Sequence, residues 1–335
     1  MNESCGAVVP LRRPTEPVAV VLGTKDKMSP PKLRWPSGVE GLLGRCSFPG
    51  RGEPAVCAVS GGADSVAMLA LAVAAGCVAH AVHLDHGLRP GGPQEAAVVE
   101  AAANTLGATF EALSVRVEPG PDLEARARQA RYEVLPEGTM VGHTADDQAE
   151  TLLLNLMRGA GLDGLRGMRA TAGGLRKARR PILALRRSET IAFVTALSLQ
   201  TVTDPSNAEA RFRRNRARHE ILPLLADVAG RDPVPLLART AALLAEDGEL
   251  LDLLARDLDP TDARALAAAP RPLASRALRA WLREDEGPEH HPPSSEDLER
   301  AWAVVTGRAV ACEVSGGRRL SRSAGRLRLD GSQRR

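Results

Sequence analysis

The fold is decided by a short apolar run and the glycine-rich turn behind it: Ala55-Val56-Cys57-Ala58-Val59, then Ser60-Gly61-Gly62-Ala63-Asp64-Ser65. The run predicts a buried strand, and the composition of residues 64–75 predicts a helix directly after the turn. Two adjacent glycines allow several backbone N–H groups to face one anion, and the positive end of the helix strengthens that field. The stretch therefore predicts a phosphate-binding turn at the end of a strand.

This turn, residues 60–65, is called the phosphate loop below, and it differs from the most familiar motifs of its kind. It lacks the Lys of GxxxxGK[ST] and the spacing of GxGxxG. Asp64 would repel a polyphosphate unless a cation lay between them, so its carboxylate is a candidate Mg²⁺ ligand. The simpler alternative is a tight turn in which Ser or Asp only caps the helix.

Strand and helix patterns alternate from the phosphate loop onward. Further strands are predicted at 78–84, 109–115 and 139–142, and helices at 93–106, 123–135 and 145–157. This alternation predicts an α/β fold, an open parallel sheet with helices on both faces and right-handed crossovers. Ligands bind such sheets beyond the carboxyl ends of the strands, which is where the phosphate loop would lie.

Four regions follow from composition along the chain. We predict a flexible N-terminal extension over 1–50 with a short helix at Val39–Leu43, and a catalytic domain over 51–225. A mainly helical domain follows over 226–308, with helices at 233–257, 261–269, 273–282 and 294–305, and a small β-meander with a basic tail ends the chain over 309–335.

Composition and cysteine usage exclude several classes of protein. The 335 residues have a net charge of +3, and their 44 basic residues comprise four Lys and 40 Arg. With four Phe, three Trp and one Tyr, a surface built on base stacking is not expected. No apolar run approaches the roughly 20 residues of a membrane span. Five scattered Cys without a CxxC argue against disulfides and zinc, so we expect a cytoplasmic enzyme.

Four further stretches carry side chains suited to chemistry near predicted strand or helix ends. They are HLDHGLR at 83–89, GHTADDQAET at 142–151, LMRGAG at 156–161, and DPSN at 204–207 with RNRARHEILP at 214–223. Together with the phosphate loop, these motifs resemble the bacterial tRNA(Ile)-lysidine synthetase family, a branch of the PP-loop ATP pyrophosphatase superfamily, in order and spacing from about Ala55 to Pro223.

The resemblance implies a specific reaction with defined cofactors and partners. ATP, with Mg²⁺, would adenylate the wobble cytidine in the CAU anticodon of a minor isoleucine tRNA. The ε-amine of free L-lysine would then displace AMP and give lysidine. The resemblance implies no membrane partner, and a homodimer is compatible with it.

The resemblance also assigns roles to residues of the catalytic domain. The phosphate loop would hold pyrophosphate through Ser60, Gly61, Gly62, Ala63, Asp64 and Ser65, while Asp64 and Asp147 would position the metal. His143, Asp146 and Asp147 would anchor or deprotonate the lysine, although Asp146 could instead cap its helix. His83 is expected to be a core histidine.

Two sets of arginines complete the expected site. Arg128 and Arg131 lie in a segment similar to the family's NLExxAR–ARY helix, with Asp122 in place of the usual Asn; Arg128 would act in catalysis and Arg131 would bind the nucleotide. Two basic clusters, one at 176–187 and one at 211–218, would contact the tRNA backbone. The tRNA-binding candidates are Arg158, Arg179, Arg180, Arg214, Arg216 and Arg218.

Other functions remain open at this point. A PP-loop thiolase acting on tRNA is the nearest alternative, although the chain lacks the CxxC such enzymes often use. A non-catalytic nucleotide-binding protein of the same fold is a second, and a small-molecule amide synthetase is a third. About 110 residues follow Leu225, too few for the two full C-terminal domains of longer family members.

Overall fold

Four strands form one parallel sheet in the order β3–β2–β1–β4 in the computed structural model, which describes residues 33–85, 92–114, 134–171, 178–203, 209, 211–284 and 293–331. All the pairings within this sheet are parallel, as predicted for an α/β fold. The strands are β1 (Pro54–Ala58), β2 (Val78–Asp85), β3 (Thr109–Ser114) and β4 (Met140–Val141).

The direction of strand order reverses beside β1. The chain leaves β1 for β2 on one side, whereas β4 pairs with the other side of β1. In open parallel sheets this reversal opens a crevice at the carboxyl ends of the two strands, where ligands bind. The fold therefore places the phosphate loop, which follows β1, beside the segment that follows β4.

Helices cover both faces of the sheet. The second of them is buried along most of its length, with Val66 to Ala72 fully shielded from solvent. It is apolar on all sides because it packs on the sheet and beneath a later helix. The helices of this region are α1 (Val39–Leu43), α2 (Ala63–Ala74), α3 (Gly92–Leu106), α4 (Ala145–Met157), α5 (Leu162–Leu165) and α6 (Arg187–Ala196).

Residues 33–50 differ from the flexible extension predicted for them. The expected helix at Val39–Leu43 is present, and the Trp35 ring stacks on Phe193 with centroids 6.5 Å apart. Arg45 forms two hydrogen bonds with Glu189, which in turn accepts from the backbone N–H at the start of α6. This packing orders the segment because it covers apolar surface of α2 and α6.

Trp35→Ala is expected to lower the free energy of unfolding by about 2 kcal/mol, because it removes a large half-buried ring from Phe193. Urea unfolding followed by circular dichroism measures the change. Val310→Ala, at a position 79% exposed, is the control and should not shift the midpoint. An unchanged midpoint for Trp35→Ala would show that residues 33–50 add nothing to the stability of the sheet domain.

The second half of the chain is helical and ends in a small antiparallel sheet, as predicted. The four expected helices appear within a few residues of their predicted bounds, whereas α6 and the helices between 213 and 229 were not predicted. The elements are α7 (Arg213–Arg216), a π-helical turn (Ala217–Ile221), α8 (Leu222–Ala229), α9 (Val234–Ala255), α10 (Ala263–Ala268), α11 (Arg271–Glu284), α12 (Ser295–Val305), β5 (Ala311–Val314), β6 (Arg318–Ser323) and β7 (Arg326–Asp330).

An ion-pair cluster joins α5 to the helical region. Asp163 of α5 contacts Arg276 and Arg279 of α11, and Arg166 donates to Asp252 of α9 at 2.7 Å. The Arg166 side chain lies against Gly248 in the middle of α9. A Cβ at position 248 would come within 2.5 Å of Cδ of Arg166. These contacts hold the two regions together although each has its own apolar core. Within the described ranges no helix is both long and apolar enough to cross a membrane.

Candidate active site

The phosphate loop closes on itself through its two serines. The Ser60 N–H donates to Oγ of Ser65 at 3.2 Å, and the Ser65 hydroxyl donates to the Gly62 carbonyl at 2.8 Å. Gly61 has a φ of +90°, and a Cβ there would lie 3.1 Å from Cγ2 of Val202, so both its conformation and its neighbour favour glycine. No side chain of the described residues caps the N-terminus of α2. This uncapped helix end is the geometry that the predicted phosphate binding requires.

Gly142 allows β4 to approach the phosphate loop. A Cβ at this position would lie 2.8 Å from Cα of Ser65 and 2.9 Å from the carbonyl carbon and oxygen of Asp64. These are backbone atoms, which cannot move aside as the end of a flexible side chain can. Because Gly142 has no side chain, the two segments that flank the crevice can lie in contact.

Gly142→Ala is expected to weaken ATP binding at least about tenfold, since it forces the phosphate loop away from β4 and geometry errors near 1 Å are costly at such sites. Titration with a fluorescent ATP analogue measures the affinity. Gly41→Ala is the matched control, because a Cβ there meets nothing within 4 Å. Equal affinities for the two variants would contradict the close approach.

The first turn of α4 carries two adjacent carboxylates with different partners. Oδ2 of Asp147 accepts from the backbone N–H of Thr144 at 2.8 Å and from its hydroxyl at 3.0 Å, which is the capping arrangement. Asp146 instead accepts from Arg186 through both oxygens, at 3.0 and 3.1 Å, and from the Arg187 N–H at 2.8 Å. The capping role considered for Asp146 therefore belongs to Asp147.

Asp64 and Asp147 converge on one guanidinium. Nε of Arg187 donates to Asp64 at 2.8 Å and its Nη2 to Asp147 at 2.9 Å, while the Thr190 hydroxyl also donates to Asp64. Arg187 and Thr190 lie on the first turn of α6, which packs on α2. The structure thus brings together the two carboxylates predicted to position a metal.

Burial and charge shift the pKa values of these carboxylates in opposite directions. Burial raises the pKa of Asp64, and the charge of Arg187 with the hydrogen bonds from Thr190 and Arg187 only partly opposes it. Burial acts the same way on Asp147, but the charges of Arg187 and Arg214 outweigh it and hold its pKa below the usual value. Burial would lower the pKa of Arg187, yet the carboxylates around it raise that pKa further, so the guanidinium stays charged.

His143 lies at the entrance to α4, and its ring accepts a hydrogen bond. Nε of Arg180 donates to Nδ1 of His143 at 3.1 Å, which assigns the imidazole proton to Nε2. The lone pair of Nδ1 is thus occupied by Arg180, so this nitrogen cannot take a proton from a substrate while that hydrogen bond holds. His83 is 2% exposed, as expected of a core histidine, with Nδ1 2.9 Å from the Val59 carbonyl. Its Nε2 is buried without a hydrogen-bond partner among the described residues, so the ring is only half satisfied.

The arginines predicted to contact tRNA divide into exposed and internal sets. Arg158 and Arg216 are exposed, and Arg179 is partly buried where its backbone extends the sheet beside β4. Arg180 is buried and bonds to His143 and to the Arg169 carbonyl, so its position does not support the predicted tRNA contact. Arg158 and Arg216 therefore remain the candidates best placed for a phosphate contact.

Arg214 and Arg218 have internal partners as well. Arg214 Nε donates to Oε2 of Glu150 at 2.7 Å, and Arg218 Nε donates to Oε1 of the same side chain at 2.6 Å. Both guanidiniums also approach Asp147, at 3.4 and 3.8 Å. Arg214 on α7 and Arg218 on the π-helical turn, both in the RNRARHE motif, thus supply positive charge that balances the carboxylates of Glu150 and Asp147.

Three side chains of this site had no predicted role in it: Glu150, Arg187 and Thr190. Glu150 could have been found, because it lies in the quoted stretch 142–151 and three residues after Asp147, on the same face of a helix. Arg187 belongs to the basic cluster at 176–187 that was expected at the tRNA backbone, whereas the structure pairs it with Asp64, Asp147 and Glu150. Thr190 had no signal, since α6 itself was not predicted. Arg128, Arg131, His86 and the DPSN stretch lie outside the described residues.

Comparison with known proteins gives a consistent picture. A family model described as the PP-loop domain matches residues 48–225. The tRNA(Ile)-lysidine synthase of Nocardia farcinica is 42% identical over 299 residues, which cover 84% of this chain and 93% of that protein. The synthase of Salinispora tropica is 41% identical over 299 residues (82% and 90%), and that of Rhodococcus erythropolis 43% over 240 residues (68% and 73%). With the phosphate loop and paired carboxylates in place, the chain belongs to the tRNA(Ile)-lysidine synthase family and carries its PP-loop domain.

Proposed function

We propose that the protein attaches free L-lysine to the wobble cytidine of a minor isoleucine tRNA with a CAU anticodon, and that it does so in the cytoplasm. Membership of a PP-loop family implies that the chain uses ATP. The observation that carries the proposal is the convergence of Asp64 and Asp147 at the crevice between β1 and β4, beside an anion-binding helix end.

The phosphate loop is suited to hold the pyrophosphate part of ATP. Its glycines open the backbone, its serines fix its shape, and the α2 N-terminus supplies N–H donors. Attack on the α-phosphate builds negative charge on oxygen atoms, which donors and cations stabilise. The products of the first step would be an adenylated cytidine and pyrophosphate.

Asp64 and Asp147 fit a Mg²⁺ ion. Magnesium prefers carboxylate oxygens and usually takes one or two of them together with substrate phosphates. The two carboxylates already share one cation, the guanidinium of Arg187. The metal, when bound, would neutralise phosphate charge, and these two side chains would hold it.

Lysine would bind near the start of α4. Its ε-ammonium must lose a proton before it can attack, so a neighbouring carboxylate or imidazole is needed. Asp146 and His143 both lie there, with Asp146 held by three hydrogen bonds from Arg186 and Arg187. We assign the anchoring of lysine to these two residues and the uptake of its ammonium proton to the Asp146 carboxylate, and AMP leaves when the C–N bond forms.

For the tRNA backbone, exposed arginines are the suitable contacts. Arg158 at the end of α4 and Arg216 on α7 remain candidates, and Arg179, which is partly buried, is a weaker one. Contacts of this kind make binding depend steeply on salt.

The regions 51–225, 226–308 and 309–335 stay as proposed domains, and residues 33–50 join the first of them. A homodimer stays a prediction.

Lysine incorporation into tRNA tests the proposal. Purified protein, ATP, Mg²⁺ and radiolabelled lysine are incubated with a transcript of the CAU-anticodon isoleucine tRNA, and a methionine tRNA with the same anticodon is the matched control. We expect labelled isoleucine tRNA, with AMP and pyrophosphate formed in equal amounts, and unlabelled methionine tRNA. Consumption of ATP without tRNA, or no label in the isoleucine tRNA, would contradict it.

A further inference from the structure

One guanidinium connects the phosphate loop to the carboxylates of α4. Arg187 directs Nε to Asp64 at 2.8 Å, Nη2 to Asp147 at 2.9 Å and Nη1 to Glu150 at 3.5 Å. Each nitrogen of the side chain thus contacts a different carboxylate. The Arg187 side chain is 22% exposed, and those of Asp64, Asp147 and Glu150 are 18%, 9% and 0% exposed.

Among the described residues, the charges that meet in this cluster cancel. Three carboxylates, of Asp64, Asp147 and Glu150, contact three guanidiniums, those of Arg187, Arg214 and Arg218. An excess of charge in such a shielded place is costly, because little water is present to solvate it. A divalent cation that entered alone would give the cluster an excess of two positive charges. The alternative, displacement of Arg187 from the carboxylates, would offer the guanidinium no new anion.

We propose that Arg187 is a positioning residue: it pairs with Asp64 and Asp147 until a divalent cation binds to them together with a nucleoside triphosphate. The inference rests on the proposed function, which supplies the metal and the ATP. A triphosphate adds negative charge that offsets the cation, and it offers the guanidinium a second anion of a type that arginine binds well. Metal and nucleotide should therefore bind cooperatively.

The cooperativity has a defined cause and must be reciprocal. If the nucleotide raises the affinity for the metal by some factor, the metal raises the affinity for the nucleotide by the same factor. Removal of the positive charge at position 187 leaves the cluster one negative charge in excess. The metal should then bind in the absence of nucleotide, and most of the coupling should disappear.

Mn²⁺ binding measured by electron paramagnetic resonance tests the inference without tRNA or lysine. Free Mn²⁺ is titrated against wild type, Arg187→Gln and Arg187→Lys, alone and with the α,β-methylene analogue of ATP, which cannot be cleaved at that bond. Arg256→Gln, at an exposed position at the end of α9, is the control. Circular dichroism checks that each variant is folded.

We expect wild type to bind Mn²⁺ at least about tenfold more tightly with the analogue than without it, from the size of a unit charge interaction at such distances. Arg187→Gln should bind Mn²⁺ alone at least about tenfold more tightly than wild type. Arg187→Lys keeps the charge but not the three separate contacts, so its affinity for Mn²⁺ alone should lie nearer to that of wild type than to that of Arg187→Gln. Arg256→Gln should equal wild type.

Two results would overturn the inference. One is wild-type protein that binds Mn²⁺ equally well with and without the analogue, which decides the matter even if Arg187→Gln does not fold. The other is folded Arg187→Gln that binds Mn²⁺ alone no more tightly than wild type. Because no tRNA or lysine is present, a failure of lysine attachment would leave these outcomes unaffected.

Discussion

Asp64→Asn is expected to lose lysine attachment by at least about 100-fold, the scale on which removing one electrostatic contact affects an active site. The amide keeps the shape of the side chain and can still meet Thr190, but it lacks the negative charge that a metal ion needs. The measurement is labelled lysine incorporated into the CAU-anticodon isoleucine tRNA at saturating ATP.

The same substitution should cost less stability than the loss of the Asp147 charge. Burial raises the folded-state pKa of Asp64, so the folded protein binds that proton more tightly than the unfolded chain does. Ionised Asp64 is thus less favourable than ionised Asp147 in the fold, and this cost appears as the pH rises from the unfolded value of about 3.9 through the folded one. We expect the melting temperature of Asp64→Asn at pH 7 to lie above that of Asp147→Asn.

Asp147→Asn provides the contrast. The pKa of Asp147 is lowered in the folded state, so its ionised form stabilises the fold above its unfolded pKa, and this contribution is lost as the pH falls through the folded value. The variant should lose both activity and stability at pH 7. Glu246→Gln, on an exposed part of α9, controls for the loss of a negative charge. If Asp64→Asn kept wild-type activity, Asp64 would not be part of the active site.

Glu150→Ala is expected to lower the free energy of unfolding by about 3–5 kcal/mol, the usual result of removing one partner from a buried ion pair. Glu150 is fully buried and accepts hydrogen bonds from Arg214 at 2.7 Å and Arg218 at 2.6 Å, with Arg187 at 3.5 Å. Without it, three guanidiniums share only Asp64 and Asp147. Urea denaturation and the melting temperature measure the loss.

Glu220→Gln is the matched control for Glu150→Ala. Glu220 forms an ion pair with Arg216 one helical turn away, but it lies at the surface. Exposed pairs contribute little because water and salt screen them, so its unfolding midpoint should not move measurably. A similar midpoint for Glu150→Ala and wild type would show that the arginines of the RNRARHE motif do not depend on Glu150.

Much of the fold could be predicted because its signals are local. The apolar run at Ala55–Val59, the glycines behind it and the helical pattern of 145–157 each reflect hydrogen bonds or packing within a few residues. The structure places β1 at Pro54–Ala58 and α4 at Ala145–Met157 accordingly. Glu189, which caps the start of α6, also pairs with Arg45 in the turn after α1, so part of what fixes this unpredicted helix lies far away along the chain.

The order of motifs along the chain also predicted the family and the two main carboxylates. SGGADS, GHTADDQAET and RNRARHE are spaced as the family requires, and Asp64 and Asp147 do meet in the crevice. The arginines expected to contact tRNA do not all lie at the surface. A cluster of arginines in sequence does not reveal whether its members face solvent or an internal carboxylate, since both arrangements have the same composition.

By itself the sequence determined the strand, the phosphate loop, the helix behind it and the chemistry those residue types allow. Only the tertiary structure decided which of the 40 arginines neutralise the site. Arg187 meets Asp64 across 123 positions of the chain and Asp147 across 40, distances over which no periodic pattern carries information. The partners of a buried charge are chosen by where the sheet and its helices place it, because an unpaired charge there costs too much.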